Sequence, residues 1–377
     1  MEIPFLSLKQ QYKEIKKEIN SAVLKTIGSG WYILGKECEH FEQEFKNYLI
    51  GAPEGYVIGV NSGTDAIRIA LVASGVGYGD EVITVANTAI PTVSAICSVG
   101  AVPIFCDVDK DTWLIDYGQI ETLITDKTKA IIPVHLYGFC VEMGKIFEIA
   151  RKHNLIVIED AAQSCGSEYK KQKAGTIGDY GAFSFYPTKN IGACGDGGAI
   201  FVKSKDKYER IKMLRNYGQS SKYYADIEGG INSRLDEIQS TILRVKLKYL
   251  DRWNSLKSKL ATVYKEKIKD NKLPLQFQQA TEEVNSAYHL FVVKLQKGER
   301  KDLIDFLAEN GIETLIHYPI PLYKQAAFKK YKIKELLFTE DLMKNIVSLP
   351  FHQYLRPGEV AYIFNILKAY FGNQLYD

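Results

Sequence analysis

The chain lacks several features, and each lack removes a class of protein. Its 377 residues contain no CxxC pair, and the six cysteines (Cys38, Cys97, Cys106, Cys140, Cys165, Cys194) stand singly. That spacing speaks against a cysteine-based metal site and fits reduced thiols. No apolar run approaches the ~20 residues needed to span a bilayer. The opening Met1-Glu2-Ile3-Pro4-Phe5-Leu6 has no basic stretch followed by a long apolar one, so no secretory leader and a cytoplasmic location are expected. A surplus of either charge is also missing. Lys plus Arg total 48 against 45 Asp plus Glu, a formal net charge of +3, too small to argue for nucleic-acid or membrane partners. No internal repeat and no low-complexity tract occurs. What remains is ordinary globular composition, 46% hydrophobic and 25% charged, in a chain long enough for a large core and two domains.

Hydrophobic periodicity gives an order of elements. Residues 9–25 read as an amphipathic helix with Tyr12, Ile15, Ile19 and Val23 at helical spacing, and residues 36–49 as a second helix. Strands are then expected at 56–60, 81–85, 102–108, 130–135, 155–160, 182–185 and 199–202, with helices at 66–73, 92–99 and 143–153 between them. Alternation of this kind indicates a mainly parallel sheet covered by helices. Residues 235–250 read as an amphipathic helix closing a large α/β domain of residues 1–250. Residues 251–270 read as a connecting helix. Residues 271–377 are expected to supply strands at 290–295 and 313–317 and helices at 301–309 and 359–371, so that 251–377 forms a small α+β domain.

One lysine stands out by its neighbours. Lys189 ends Phe183-Ser184-Phe185-Tyr186-Pro187-Thr188-Lys189, with Gly195-Asp196-Gly197-Gly198 just beyond and Asp160 and Gln163 about thirty residues upstream. Pyridoxal phosphate (PLP) needs an amine for a Schiff base, an anion at its pyridine nitrogen, donors for its phosphate and a partner for its phenolic oxygen. Lys189, Asp160 and Gln163 suit the first, second and fourth needs. Gly63 and Thr64, where a strand turns into a helix, and the Ser184 hydroxyl suit the phosphate. Taken singly, each has a plainer reading: Lys189 a surface lysine, Asp160 a turn cap, Gln163 a loop residue, Ser184 a packed strand residue. The combination carries the weight.

Beyond these residues the chain resembles the DegT/DnrJ/EryC1/StrS sugar aminotransferases, fold type I PLP enzymes. The matching segments include Ile33-Leu34-Gly35 with Phe41-Glu42, Asn61 to Ala66, Gly79 to Ile83, Pro133 to Gly138, Glu159 to Ser164, Phe183 to Gly198, Gly230 to Arg234 and His317-Tyr318-Pro319. The resemblance implies a Schiff-base lysine at Lys189, a pyridine-nitrogen partner at Asp160 and a phenolic-oxygen partner at Gln163. It also implies phosphate ligands at Gly63, Thr64 and Ser184, and a homodimer in which Asn232 reaches the phosphate of the neighbouring subunit. By motif position Tyr186, Arg234, His317 and Tyr318 are candidates for substrate contact, while His135 fits either a site or a core role. Many relatives place a ring-stacking aromatic where this chain has Ala89. The segment Asn87-Thr88-x-x-Pro91-Thr92 is similar to the subgroup that aminates C3 of dTDP-linked 3-keto-6-deoxyhexoses. The expected reaction moves the amino group of L-glutamate to a nucleotide-linked keto sugar, with pyridoxamine phosphate between the two halves. Rival readings are amination at C4 of a UDP- or dTDP-linked 4-keto sugar, and a PLP-binding protein without turnover. A sugar dehydratase of this family would carry histidine at position 189.

Overall fold

The computed structural model describes residues 1–50, 54–331 and 334–373. Its helices are α1 (Leu8–Gly28), α2 (Lys36–Ile50), α3 (Gly63–Ala73), α4 (Ile90–Ser98), the single turn α5 (Tyr117–Ile120), α6 (Met143–His153), α7 (Lys205–Leu214), α8 (Glu237–Leu247), α9 (Leu250–Asp270), α10 (Arg300–Glu309), α11 (Leu337–Asn345) and α12 (Pro357–Asn373). The first strands are β1 (Tyr56–Val60), β2 (Glu81–Val85), β3 (Val102–Cys106), β4 (Thr128–Ile131), β5 (Ile156–Asp160), the short β6 (Glu168–Tyr169) and β7 (Gln172–Lys173), β8 (Tyr180–Ser184) and β9 (Gly198–Val202). Beyond them come β10 (Gln219–Ser221), β11 (Tyr224–Ala225), β12 (Leu275–Phe277), β13 (Val284–Asn285), β14 (Phe291–Leu295) and β15 (Ile346–Leu349).

The main sheet has seven strands in the order β1-β9-β8-β5-β4-β2-β3. From β8 to β3 every pairing is parallel, whereas β9 runs antiparallel to both β8 and β1. Apolar residues cover both faces, as a parallel sheet between helices requires. On one face Ile58, Val82, Ile158 and Ile200 pack with Ile67 and Leu71 of α3 and Ile211 of α7. On the other face Ile83, Ile131 and Val157 pack with Met143 and Ile146 of α6, while Val57, Phe183 and Phe201 pack with Phe41 and Phe45 of α2.

A second core joins Tyr264 of α9, Phe291 and Val293 of β14, Val347 and Leu349 of β15, and Ile363 and Leu367 of α12. It lies on the antiparallel sheet β12-β14-β15. Ile3, at the start of the chain, is buried in this second core and pairs with Ile312, so core membership does not simply follow chain order.

Several expected elements are corrected. Residues 313–317 are not a strand; Leu315 makes only an isolated bridge to Ser348. The third strand of the small sheet is β15, a short apolar run directly behind α11 with no punctuation to announce it. The strand expected at 130–135 stops at Ile131, because Pro133 offers no N–H to a ladder. The helix expected at 235–250 closes at Leu247, and α9 starts three residues later. The helices α5, α7 and α11 have no counterpart among the expected elements. In α1, Ile15 and Ile19 are buried as the spacing predicts, but Tyr12 is exposed.

Candidate active site

A cavity of about 310 Å³ opens at the carboxyl edge of the main sheet, within the usual range of small-molecule sites. Its lining is drawn from strand ends. Ser62, Gly63 and Thr64 follow β1, Thr88 and Ala89 follow β2, and Val134 follows β4. Asp160 ends β5, Ser184 ends β8, and Asp196 and Gly197 lead into β9. This is where open α/β sheets bind ligands, because the strand-to-helix turns leave backbone groups free there.

At the start of α3, Ser62 caps the helix by accepting from the Asp65 N–H at 3.1 Å. The Gly63 and Thr64 N–H groups, one and two residues into the helix, stay directed outward at its positive end, suited to an anion. Gly63 is required by contact: a Cβ there would lie 2.7 Å from Ser184 Cβ. The Ser184 hydroxyl is thereby held against the helix start, and three donors of the kind a phosphate needs come together.

Asp160 is 5% exposed. One carboxylate oxygen accepts from the Thr92 hydroxyl at 2.8 Å and the other from the Ala162 N–H at 3.2 Å. Thr92 is in turn 3.0 Å from the Thr88 hydroxyl. Gln163 is oriented from both ends of its amide. Its oxygen accepts from the Tyr137 N–H at 2.9 Å, and its nitrogen donates to the Tyr318 hydroxyl at 2.9 Å. Since an amide nitrogen has two hydrogens, one remains for a ligand.

Lys189 sits on a tight loop. Its N–H bonds the Tyr186 carbonyl at 2.9 Å. A Cβ on Gly192 would strike the Pro187 carbonyl oxygen at 2.2 Å, so only glycine closes the loop this way. Lys246 donates to the Gly192 carbonyl at 2.6 Å and braces the turn from α8. Burial pushes the Lys189 ammonium down to about 8, against the opposing pull of the Asp160 carboxylate. An amine tuned toward neutrality is what a nucleophile and general base require.

The sequence-selected residues divide. Gly63, Thr64, Asp160, Gln163, Ser184, Tyr186 and Lys189 line one cavity. Tyr318 joins it through Gln163. His317 lies behind, bonded to Ser348 at 2.8 Å, and burial beside Lys189 lowers its imidazolium to about 4. Arg234 does not line the cavity; its guanidinium reaches Asn216 at 3.1 Å and lies over the Tyr217 ring. Asn232 is exposed, also outside the cavity of its own chain. His135 proves a satisfied core histidine, fully buried between Glu159 at 2.8 Å and the Val141 N–H at 3.0 Å.

Sequence reasoning missed Thr92 as a partner of Asp160. The available signal was Thr88 and Thr92 four residues apart where α4 begins, a spacing that brings side chains together. At position 89 the chain presents only the Ala89 methyl; the aliphatic lining is Ile67, Ala89, Pro91, Val134 and Ala162, and Tyr186 is an aromatic side chain in the lining.

An amine near neutrality, a carboxylate facing it, an oriented amide and an anion cradle together fit PLP, and they define the site of a PLP-dependent enzyme on an α/β fold. The sequence pattern of the DegT/DnrJ/EryC1/StrS aminotransferase family matches residues 13–368, and the chain belongs to that family. It is accordingly a PLP-dependent aminotransferase. Among its relatives, the dTDP-3-amino-3,6-dideoxy-alpha-D-galactopyranose transaminase of Aneurinibacillus thermoaerophilus is 43% identical over 98% of this chain and 99% of its own. The UDP-N-acetyl-3-dehydro-alpha-D-glucosamine 3-aminotransferase of Acidithiobacillus ferrooxidans is 37% identical over 97% of each chain. Among solved structures, Streptomyces venezuelae DesV in complex with a ketimine intermediate superposes with a TM-score of 0.92 at 37% identity, covering 98% of both chains. Bacillus subtilis NtdA with bound cofactor PMP superposes at 0.90 with 32% identity, covering 97% of this chain and 84% of that one.

Proposed function

We propose that the protein transfers the amino group of L-glutamate to C3 of a dTDP-linked 3-keto-6-deoxyhexose, giving a dTDP-3-amino-3,6-dideoxyhexose of galacto or gluco configuration. The observation that carries this reading is the end-to-end identity of 43% to a transaminase named for that class of product, against 37% to the UDP-sugar relative.

PLP, when bound, stores the amino group between the two substrates and draws electron density from the carbon that loses a proton. The chain's residues do the rest. Lys189 would hold the cofactor covalently, and its Nζ, once released, would take a proton from the donor's Cα and later return one to the acceptor carbon. Asp160 keeps a proton on the pyridine nitrogen, with Thr92 and the Ala162 N–H fixing the carboxylate. Gln163 donates to the phenolic oxygen from an amide fixed by Tyr137. Gly63, Thr64 and Ser184 hold the phosphate. In a homodimer, Asn232 of one copy reaches the phosphate site of the other. Tyr186, which lines the cavity, and Tyr318, which joins it through Gln163, would border the path of the nucleotide sugar, with His317 supporting from behind; Arg234, outside the cavity of its own chain, would meet the diphosphate in the homodimer, where its guanidinium can pair bidentately. The protein acts in the cytoplasm, where nucleotide sugars and glutamate are available.

The test supplies [¹⁵N]glutamate with dTDP-3-keto-6-deoxygalactose, its gluco epimer, dTDP-4-keto-6-deoxyglucose and a UDP-linked 3-keto sugar in separate reactions, each product read by NMR. Label at C3 of a dTDP sugar is expected. Label at C4, or turnover of the UDP sugar alone, overturns the reading.

A further inference from the structure

Lys189 also lines a second, much smaller cavity, of about 30 Å³, which shares no other residue with the first. Its chemistry comes from distant parts of the chain: Gln11 in α1, Asn190 beside Lys189, Lys257 in α9, His289 just before β14 and His352 just after β15. Lys257, His289 and His352 are 6%, 7% and 6% exposed. Among the described residues no carboxylate lines the space, although Glu359 acts on His352 from outside it.

These buried groups lack partners. Lys257 Nζ has no hydrogen bond or ion pair among the described residues, and the one group that favours its charge is the Cys165 thiol. His289 Nδ1 is unpartnered, as are both ring nitrogens of His352. The Pro4 carbonyl lies near His352 but outside hydrogen-bonding geometry. Asn190 Oδ1 is an unmet acceptor, as is one ring nitrogen of a neutral His352; the Asn190 amide nitrogen already serves Asn254 at 2.8 Å and the Ala287 carbonyl at 3.0 Å. Burial pushes the Lys257 ammonium down to about 7. A buried cation without a counter-charge is costly, and the side chains around this void supply none to Lys257. The void has room for only one or two groups of about water size.

We propose that this cavity is a subsite for one small monovalent anion, held by Lys257 and His289 next to Lys189. The anion is either a dissolved halide or the carboxylate end of the amino donor. The donor alternative rests on the glutamate reading above; the halide alternative does not.

The test uses the holoenzyme in mildly acidic buffer, first without a variant. A crystal soaked in sodium bromide should show an anomalous peak within hydrogen-bonding distance of Lys257 Nζ. In solution, the ³⁵Cl NMR line of chloride should broaden in the presence of the protein and lose that excess in Lys257→Met, whose fold is checked by circular dichroism. Loss of the broadening on adding L-glutamate assigns the site to the donor carboxylate; broadening that survives glutamate assigns it to the free halide. Absence of the bromide peak, or equal broadening by wild type and a folded Lys257→Met, overturns the proposal and leaves water in the cavity.

Discussion

Two adjacent carboxylates end β5, and the structure treats them in opposite ways. Glu159 points with Val157 toward the α6 face of the sheet, and Asp160 points with Ile158 toward the α3 face. Glu159 is fully buried and saturated. It accepts from the N–H groups of Gly175 at 2.9 Å, Ile177 at 2.7 Å and Gly178 at 2.6 Å, and from His135 at 2.8 Å. Among the described residues the Asp160 carboxylate accepts only from Thr92 and Ala162, and it faces a cavity. Charge and burial are alike in the two; capacity left over is not. A saturated carboxylate is structure, while one with lone pairs facing empty space is poised for a ligand.

The comparison is sharpest at the amine Asp160 faces. Lys189→Ala should reduce turnover by ~10⁴-fold or more, since it removes the covalent anchor and the proton carrier together. PLP should still bind non-covalently, seen as a free-aldehyde absorbance that persists through gel filtration. In wild-type apoprotein, the rate of covalent PLP attachment should rise with pH through a midpoint near 8, where half of the buried amine is neutral. Below that value the ammonium cannot attack. A midpoint near the ordinary lysine value would break the account of the site.

Asp160→Asn should cost ~10²–10³-fold in kcat, the scale for one lost charge-stabilising group. It should also move the Lys189 attachment midpoint downward, because Asp160 is what holds that value up. Both effects should be missing from Glu159→Gln, which keeps the size and burial of its neighbour. That substitution turns one accepting oxygen into a donor facing N–H groups, so it should destabilise the fold by roughly 3 kcal/mol, read from urea unfolding of the apoprotein. Catalytic loss from Glu159→Gln at unchanged stability would erase the distinction between the two carboxylates.

Much of this was legible in the sequence, unevenly. The pattern of β5 and its trailing Glu159-Asp160-Ala161-Ala162-Gln163 announced a strand ending in acids at a ligand edge. Periodicity of two even implies that the neighbours point apart. What it cannot say is which face holds the donors: the partners of Glu159 come from residues 175–178, in a loop with no motif, and from His135, whose role stayed open. His317-Tyr318 was marked by motif, yet its effect on Gln163 depends on a fold-back across 155 residues. The small sheet was misread at residues 313–317 because short antiparallel strands are decided by packing more than by propensity. Nothing in the charged connecting helix at 251–270 marked Lys257 as buried; the N-terminal segment and the loops around His289 and His352 bury it.

The smallest expected effect tests whether Asp160 is poised or merely present. Thr92→Val keeps the shape of the side chain, removes the hydroxyl and so takes away the donor 2.8 Å from the carboxylate. A hydrogen bond to a charged group is worth roughly 1.5–3 kcal/mol; with the Ala162 N–H still in place and the cofactor's own charge compensating, only part of that should be lost. A fall in kcat of about tenfold, ~1.4 kcal/mol, is expected, with the KM for the keto sugar unchanged because Thr92 touches no part of that substrate in this reading. Thr92→Ser, which restores the hydroxyl, should recover most of the rate. If Val and Ser behave alike, the Thr88–Thr92–Asp160 chain is packing, and Asp160 is oriented by its strand alone.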